Sequence, residues 1–193
     1  ERKLPSAGIK KFPATSSILK EPQASIMALT DSGQKHKTVE LFDRLMQQEK
    51  ENIKEYLKNN KPNLTEKYSL TLTPSRIDLV AMCYVKNTMD IGNVIKKIKS
   101  YYDEIKKIEL YFFKNHDINI VLEEDAIDFI IEQLVESFVE LKIIYEKIDQ
   151  DFQHGLKLAR EKTGRNRFFI TRQALLDPEV YIGNLIKDKL EPS

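Results

Sequence analysis

The sequence predicts a mainly α fold: a helical bundle or lid with a small two-stranded β element. Three observations carry this. Long stretches place apolar residues every three or four positions, as one face of a helix requires. Only two short runs, Ile118-Asn119-Ile120-Val121-Leu122 and Phe168-Phe169-Ile170, read as strands. Charged residues make up 32% of the chain yet nearly cancel, 31 basic against 30 acidic, which suits exposed helix faces.

Residues 1–35 differ from the rest. Pro5, Pro13 and Pro22 interrupt them, and the apolar pieces Gly8-Ile9 and Lys11-Phe12 read as edge strands or extended linker, because proline fixes φ and lacks a ladder donor. A short helix is expected around Gln23–Leu29, and Asp31-Ser32-Gly33 is a break. A helix then runs from Lys37 to about Asn59, with Val39, Phe42, Met46, Ile53 and Tyr56 on its stripe; Asn59–Asn63 ends it. Thr73 and Pro74 supply an N-cap and an N1 proline for a helix through about Lys86. Its inner stripe is Ile77, Val80, Ala81, Tyr84 and Val85. Cys83, the single cysteine, lies in this apolar run and reads as a buried, inert thiol.

Asp90 caps a helix to about Asn115, about 39 Å long at roughly 1.5 Å per residue. Ile91, Val94, Ile98, Tyr101, Ile105, Ile108 and Phe112 form a coiled-coil-like seam along it. Either long neighbouring helices of the same chain cover that seam, or a second chain does. The strand Ile118–Leu122 follows. Glu123-Glu124-Asp125 then opens a helix whose Ile127, Ile130, Ile131 and Leu134 face inward; acids in a first turn complement the helix dipole. A helix from about Ser137 to Lys162 buries Leu141, Ile144, Ile148, Phe152, Leu156 and Ala159. Thr163-Gly164-Arg165-Asn166 turns into the second strand, a partner for the first. Phe168 and Phe169 read as core of that strand rather than as base-stacking platforms. Thr171 caps a helical turn, and Asp177-Pro178 starts a last helix with Val180, Tyr181, Leu185 and Ile186 inward.

Composition narrows function. A formal charge of +1 argues against a general nucleic-acid or membrane-surface binder. No apolar run approaches the roughly 18 residues of a membrane span, and the first ten residues are too mixed for a signal peptide. One cysteine cannot form an internal disulfide, which points to a reducing cytoplasm. No GxxxxGK[ST] loop is present; the glycines stand scattered at 8, 33, 92, 155, 164 and 183, so no backbone cradle for phosphates is visible. GxSxG, HExxH and CxxC are absent too. His36, His116 and His154 are isolated, and no His or Cys stands at metal-ligand spacing.

The succession of a long helix, the strand Ile118–Leu122, the acidic Glu123-Glu124-Asp125 and a second helix resembles the C-terminal lid of a AAA+ ATPase of the Clp unfoldase type. The opening Glu1-Arg2-Lys3-Leu4-Pro5 is similar to the F-x-G-R-L-P-like box that closes the large ATPase domain of that family. The resemblance covers roughly half the chain. It implies that residues 1–35 are a linker and remnant of the large domain. Residues 36–193 are then the helical lid, with 36–89 as a partner-binding insertion. The opening at Glu1 rather than Met fits a piece of a longer ATPase that has no nucleotide-hydrolysing site of its own.

The resemblance also implies site residues. The box arginine of the family is a finger on the γ-phosphate held by a neighbouring subunit; Lys3 stands at its position, and Arg2 reaches it after a shift of one residue. Lysine lacks the planar fork of arginine, so the exchange is not conservative. The alternative is a solvated basic pair. The family's lid arginine falls at Ser137–Lys142, where Lys142 is the nearest cation for nucleotide sensing. Apart from the resemblance, Arg160, Lys162, Arg165, Arg167 and Arg172 around the Thr163-Gly164 turn form a basic group suited to a phosphate or an acidic partner. Cations near a helix C-terminus are also favourable with no ligand. ATP and Mg are implied for the parent protein and neither is bound by this chain alone. The implied partners are the large domain, neighbouring subunits of a ring, and a protein substrate or adaptor. No membrane partner is implied, and nucleic acid is disfavoured. The alternative function is a helical adaptor or scaffold that dimerises through the Ile91–Phe112 seam.

Overall fold

The structure, a computed structural model, describes Lys20 and residues 35–87, 89–136 and 139–187. The expected extended segment, the helix at Gln23–Leu29, and the side chains of Val39 and Phe42 lie outside the described residues. The described chain is mainly helical with one two-stranded sheet. It divides into two units, with the division at Val94 and Ile95.

The first unit holds α1 (Lys35–Asn59), α2 (Lys61–Tyr68) and α3 (Pro74–Lys86). α1 packs on α3, and Lys54 Nζ bridges them, 2.8 Å from Asp78 Oδ1. That hydrogen bond raises the Lys54 ammonium above its ordinary value, against a smaller opposing effect of desolvation. Leu57, not Tyr56, is the buried residue of the last turn of α1; Tyr56 is exposed. The two are adjacent in sequence, about 100° apart around a helix of 3.6 residues per turn, so a small error in the axis of the stripe exchanges them.

α2 was not expected. Asn59–Asn63 reads as a helix end, but Pro62 stands in the first turn of α2. There its missing N–H costs nothing and its φ is already helical. Ser69 closes α2 in the left-handed region at φ 49°. Leu64, Leu70 and Leu72 are buried. Thr73 Oγ1 accepts from Arg76 N at 3.2 Å, the predicted N-cap of α3. Ile77, Leu79, Val80, Ala81 and Cys83 are buried. So is Arg76, at 1% exposure; its Nη1 donates to Thr71 O at 3.1 Å.

α4 (Ile91–His116) begins as predicted: Asp90 Oδ1 accepts from Asn93 N at 3.0 Å. Of the seam, Val94, Ile98, Ile105, Ile108 and Phe112 are buried. The second unit continues with β1 (Asn119–Leu122), α5 (Glu124–Glu136), α6 (Leu141–Thr163), β2 (Arg167–Ile170), α7 (Arg172–Leu176) and α8 (Pro178–Lys187). β1 and β2 pair in parallel, with Asn119 opposite Arg167 and Leu122 opposite Ile170. Parallel strands need a long crossover, and α5 with α6 supplies it. The alternation of the strands is clear: Ile120, Leu122, Phe168 and Ile170 are buried, while Asn119, Arg167 and Phe169 are exposed.

Four expected burials are corrected. Phe169 is 49% exposed, because strand alternation permits only one of two adjacent phenylalanines to face inward. α6 starts at Leu141 with Glu140 extended at its N-cap, so Leu141 and Ile144 sit in the opening turns and are only partly covered. Val180 is exposed, and no residue of α8 is fully buried. α8 lies on the surface of α6 and α7. Gly155 of α6 receives it: a Cβ built at Gly155 would lie 2.2 Å from Ile182 Cδ1. Phe152 meets Tyr181 edge-on with centroids 6.2 Å apart, and Tyr181 Oη donates to Phe169 O at 2.8 Å.

Candidate functional site

The small sheet brings together the chemistry that the sequence scattered. Asn119 N donates to Asn166 O at 3.0 Å and Glu123 N to Ile170 O at 2.9 Å. Residues 119, 121 and 123 therefore turn their backbone groups to β2, and residues 120 and 122 turn theirs to the opposite edge of β1. Glu109 Oε1 of α4 accepts from Leu122 N at 2.8 Å and pairs with Lys106 Nζ at 2.5 Å. The outer edge of β2 is occupied by the Tyr181 hydroxyl. Burial pushes the Tyr181 phenol up to about 12.

Between α4 and β1 an open groove of about 450 Å³ is lined by Glu109, Leu110, Phe113, Asn119, Ile120, Val121 and Arg167. Leu110 and Phe113 are exposed. Val121 lies opposite Phe169 in register, so the outer face of the sheet continues the apolar surface.

The five expected cations do not form one site. Arg160 Nη1 donates to Asp117 O at 2.7 Å, holding a residue at φ 53° between α4 and β1. The Arg167 guanidinium lies 5.2 Å from the centroid of the Phe169 ring, on the outer face. Lys162 and Arg165 are exposed beside the Gly164 cap of α6. Arg172 follows the far end of β2, a four-residue strand of roughly 13 Å. It stacks 4.8 Å from the Phe129 centroid, and its Nη2 is 3.4 Å from Glu132 Oε2. Its amide donates to Asp125 Oδ2 at 3.1 Å. The acid-headed α5 thus serves the start of α7.

Lys142 is exposed in the first turn of α6, with its Nζ 3.7 Å from Glu146 Oε1. Arg2 and Lys3 lie outside the described residues. Among the described residues, no group of three His, Cys, Asp or Glu side chains is placed to hold a metal ion, and no helix is long and apolar enough to cross a membrane.

Glu109, Leu110 and Phe113, one wall of the groove, lie outside the buried stripe that the spacing of α4 predicts, so periodicity alone does not find them. Nor does it find the pairing of His116 Nε2 with Asp149 Oδ1 at 2.5 Å. Beside that pair Asn115 Nδ2 donates to Tyr145 Oη at 2.6 Å. Desolvation, with the Asp149 charge second, raises the Tyr145 phenol. These partners lie about thirty residues apart in the chain, beyond any local pattern. Comparison with family models, with curated proteins and with solved structures finds no match to this chain.

Proposed function

We propose that this chain is the C-terminal lid region of a AAA+ ATPase of the Clp unfoldase type. On this reading it couples nucleotide state to domain rotation and ring contacts, and it hydrolyses no ATP by itself. The observation that supports the reading is the order of α4, β1, the acid-headed α5, α6 and β2, with the two strands paired across the helices. Well-packed helices of this length move as rigid levers, so a small rotation set at one end arrives at the other. Residues of α4 and α6 buried at 0–3%, among them Ile105, Phe112, Ile148, Phe152 and Leu156, supply that stiffness.

ATP and Mg belong, on this reading, to the large domain. Lys142 is the lid cation for a phosphate: its bond to Glu146 is long and exposed, and such pairs are worth little. Arg2 and Lys3 are the finger candidates toward a neighbouring subunit. The partners are that large domain, neighbouring subunits in a ring and a protein substrate or adaptor, in the cytoplasm. A scaffold dimerising through the Ile91–Phe112 seam would first have to uncover Val94, Ile98, Ile105, Ile108 and Phe112.

The test is ATP hydrolysis by the protein made from the whole reading frame that encodes this chain. Hydrolysis is expected, and removal of residues 1–193 abolishes it. Replacing the true finger with alanine, Arg2→Ala or Lys3→Ala, lowers turnover by about 10³-fold or more. A full-length product that binds no nucleotide, or one that forms a stable parallel dimer through α4, overturns the reading.

A further inference from the structure

We propose that the groove between α4 and the outer face of the sheet takes an amphipathic helix of a protein partner, with its apolar face on Leu110, Phe113 and Val121 and an acidic end on Lys114 and Arg167. The inference stands on the second unit alone and does not rest on the ATPase reading. Leu110 and Phe113 line the groove from α4, and Val121 lines it from β1. Phe169 stands opposite Val121 in register and extends the same face of the sheet. Leu110 is 50% exposed, Phe113 39% and Phe169 49%, so a partner gains by taking this surface out of water. A contiguous exposed apolar surface marks a binding site more often than scattered single residues do.

The strand edge decides the form of the partner. Ile120 and Leu122 are 3% and 2% exposed, and Glu109 Oε1 takes the Leu122 amide. The outward edge of β1 therefore offers no ladder to an added strand. Recognition falls to side chains, and the partner has to satisfy its own backbone groups. A helix does so internally. An amphipathic one lays apolar positions i, i+3, i+4 and i+7 into a groove of this kind. The four residues of β1 run roughly 13 Å, a distance that about nine helical residues cover.

Charge decides the partner's sign. Lys114 follows Leu110 by four residues, so it stands one turn further along the same side of α4. Arg167 lies opposite Asn119, the first residue of β1. The chain turns between α4 and β1 at Asp117, so both cations stand at the end of the groove where the helix passes into the strand. Both are exposed, and neither is paired with a carboxylate among the described residues. The Arg167 guanidinium rests against the Phe169 ring. The acids nearby are committed elsewhere: Glu109 to Lys106 and the Leu122 amide, and Asp117 to Arg160, 3.6 Å away. The unbalanced charge is positive and confined to one end. It selects Asp or Glu at the matching end of the helix, with arginine's planar fork as the stronger holder.

The experiment is a selection of a helical peptide display library on the full 193-residue chain, followed by affinity measurement of the enriched peptides. Leu110→Glu on α4 and Arg167→Glu on β2 replace exposed residues, with folding checked by circular dichroism. The expected result is enrichment of peptides with apolar residues at helical spacing and Asp or Glu at one end. Their affinity falls about tenfold or more in each variant. The proposal is overturned if no peptide is enriched, if the enriched peptides lack acids or show a two-residue alternation, or if affinity is unchanged in either variant. It is equally overturned if this face instead pairs two copies of the chain, seen as a concentration-dependent dimer that Leu110→Glu dissociates.

Discussion

Gly155→Ala tests how α8 is seated. Glycine inside a helix costs about 1 kcal/mol relative to alanine, so substituting it in α6 would be stabilising if nothing faced it. Ile182 faces it: the new Cβ would lie 2.2 Å from Cδ1 and 2.9 Å from both Cγ1 and Cγ2. Ordinary carbon–carbon contacts are about 3.5–4.0 Å. Both γ carbons branch from one Cβ, so turning the side chain leaves one of them close. The overpacking costs about 1–3 kcal/mol, and the balance is a net loss of about 0–2 kcal/mol. Relief comes through outward movement of α8, which takes Tyr181 off Phe169 O and into water. The assay pairs urea unfolding with spectrophotometric titration of the tyrosines, with Tyr181 identified by its absence in Tyr181→Phe. The Tyr181 titration should fall from about 12 toward its ordinary value near 10, and Gly155→Ala combined with Ile182→Ala should return it. A Gly155→Ala protein that gains the full helix-propensity benefit, with the titration of Tyr181 unmoved, would show that Ile182 does not press on residue 155.

Tyr181→Phe also carries a pH prediction. Burial raises the folded-state phenol to about 12, above an unfolded value near 10. Its contribution is therefore complete below pH 10 and lost as pH rises from 10 to 12. Discounted for partial exposure, this is about 1–2 kcal/mol, and alkaline unfolding of Tyr181→Phe should lack that part of the slope. At neutral pH the loss of the bond to Phe169 O should cost about 0.5–1.5 kcal/mol by denaturant titration. Thr73→Ala removes the cap on Arg76 N and should cost about 1 kcal/mol, with Thr73→Ser recovering most of it. Arg160→Ala frees the Asp117 carbonyl and should speed amide exchange at the start of β1, whereas Lys162→Ala should leave it unchanged.

The elements that were legible had local causes. Thr73-Pro74, Asp90, Thr171 and Asp177-Pro178 announce helix starts through their own side chains, and Gly164 ends α6 in the left-handed region at φ 72°. The two strands were legible because short apolar runs stood between strong helices. What escaped was tertiary. No local pattern distinguishes Tyr56 from Leu57, or says which of Phe168 and Phe169 faces inward, until a neighbour fixes the orientation. α2 is hidden because a proline such as Pro62 is equally compatible with the end of one helix and the first turn of the next. Closeness in sequence makes the basic group look like one cluster, but β2 runs through it and carries Arg172 to the other end of the sheet. The groove was invisible for a related reason: Leu110 and Phe113 belong to α4's outer face, which acquires meaning only beside β1.

The most direct test of the lid assignment is the coding sequence immediately upstream of Glu1. A lid of this type requires an open frame that encodes a GxxxxGK[ST] phosphate loop a few hundred residues earlier, roughly the length of one domain or two. An initiator methionine directly before Glu1, with no such loop in frame, would contradict it.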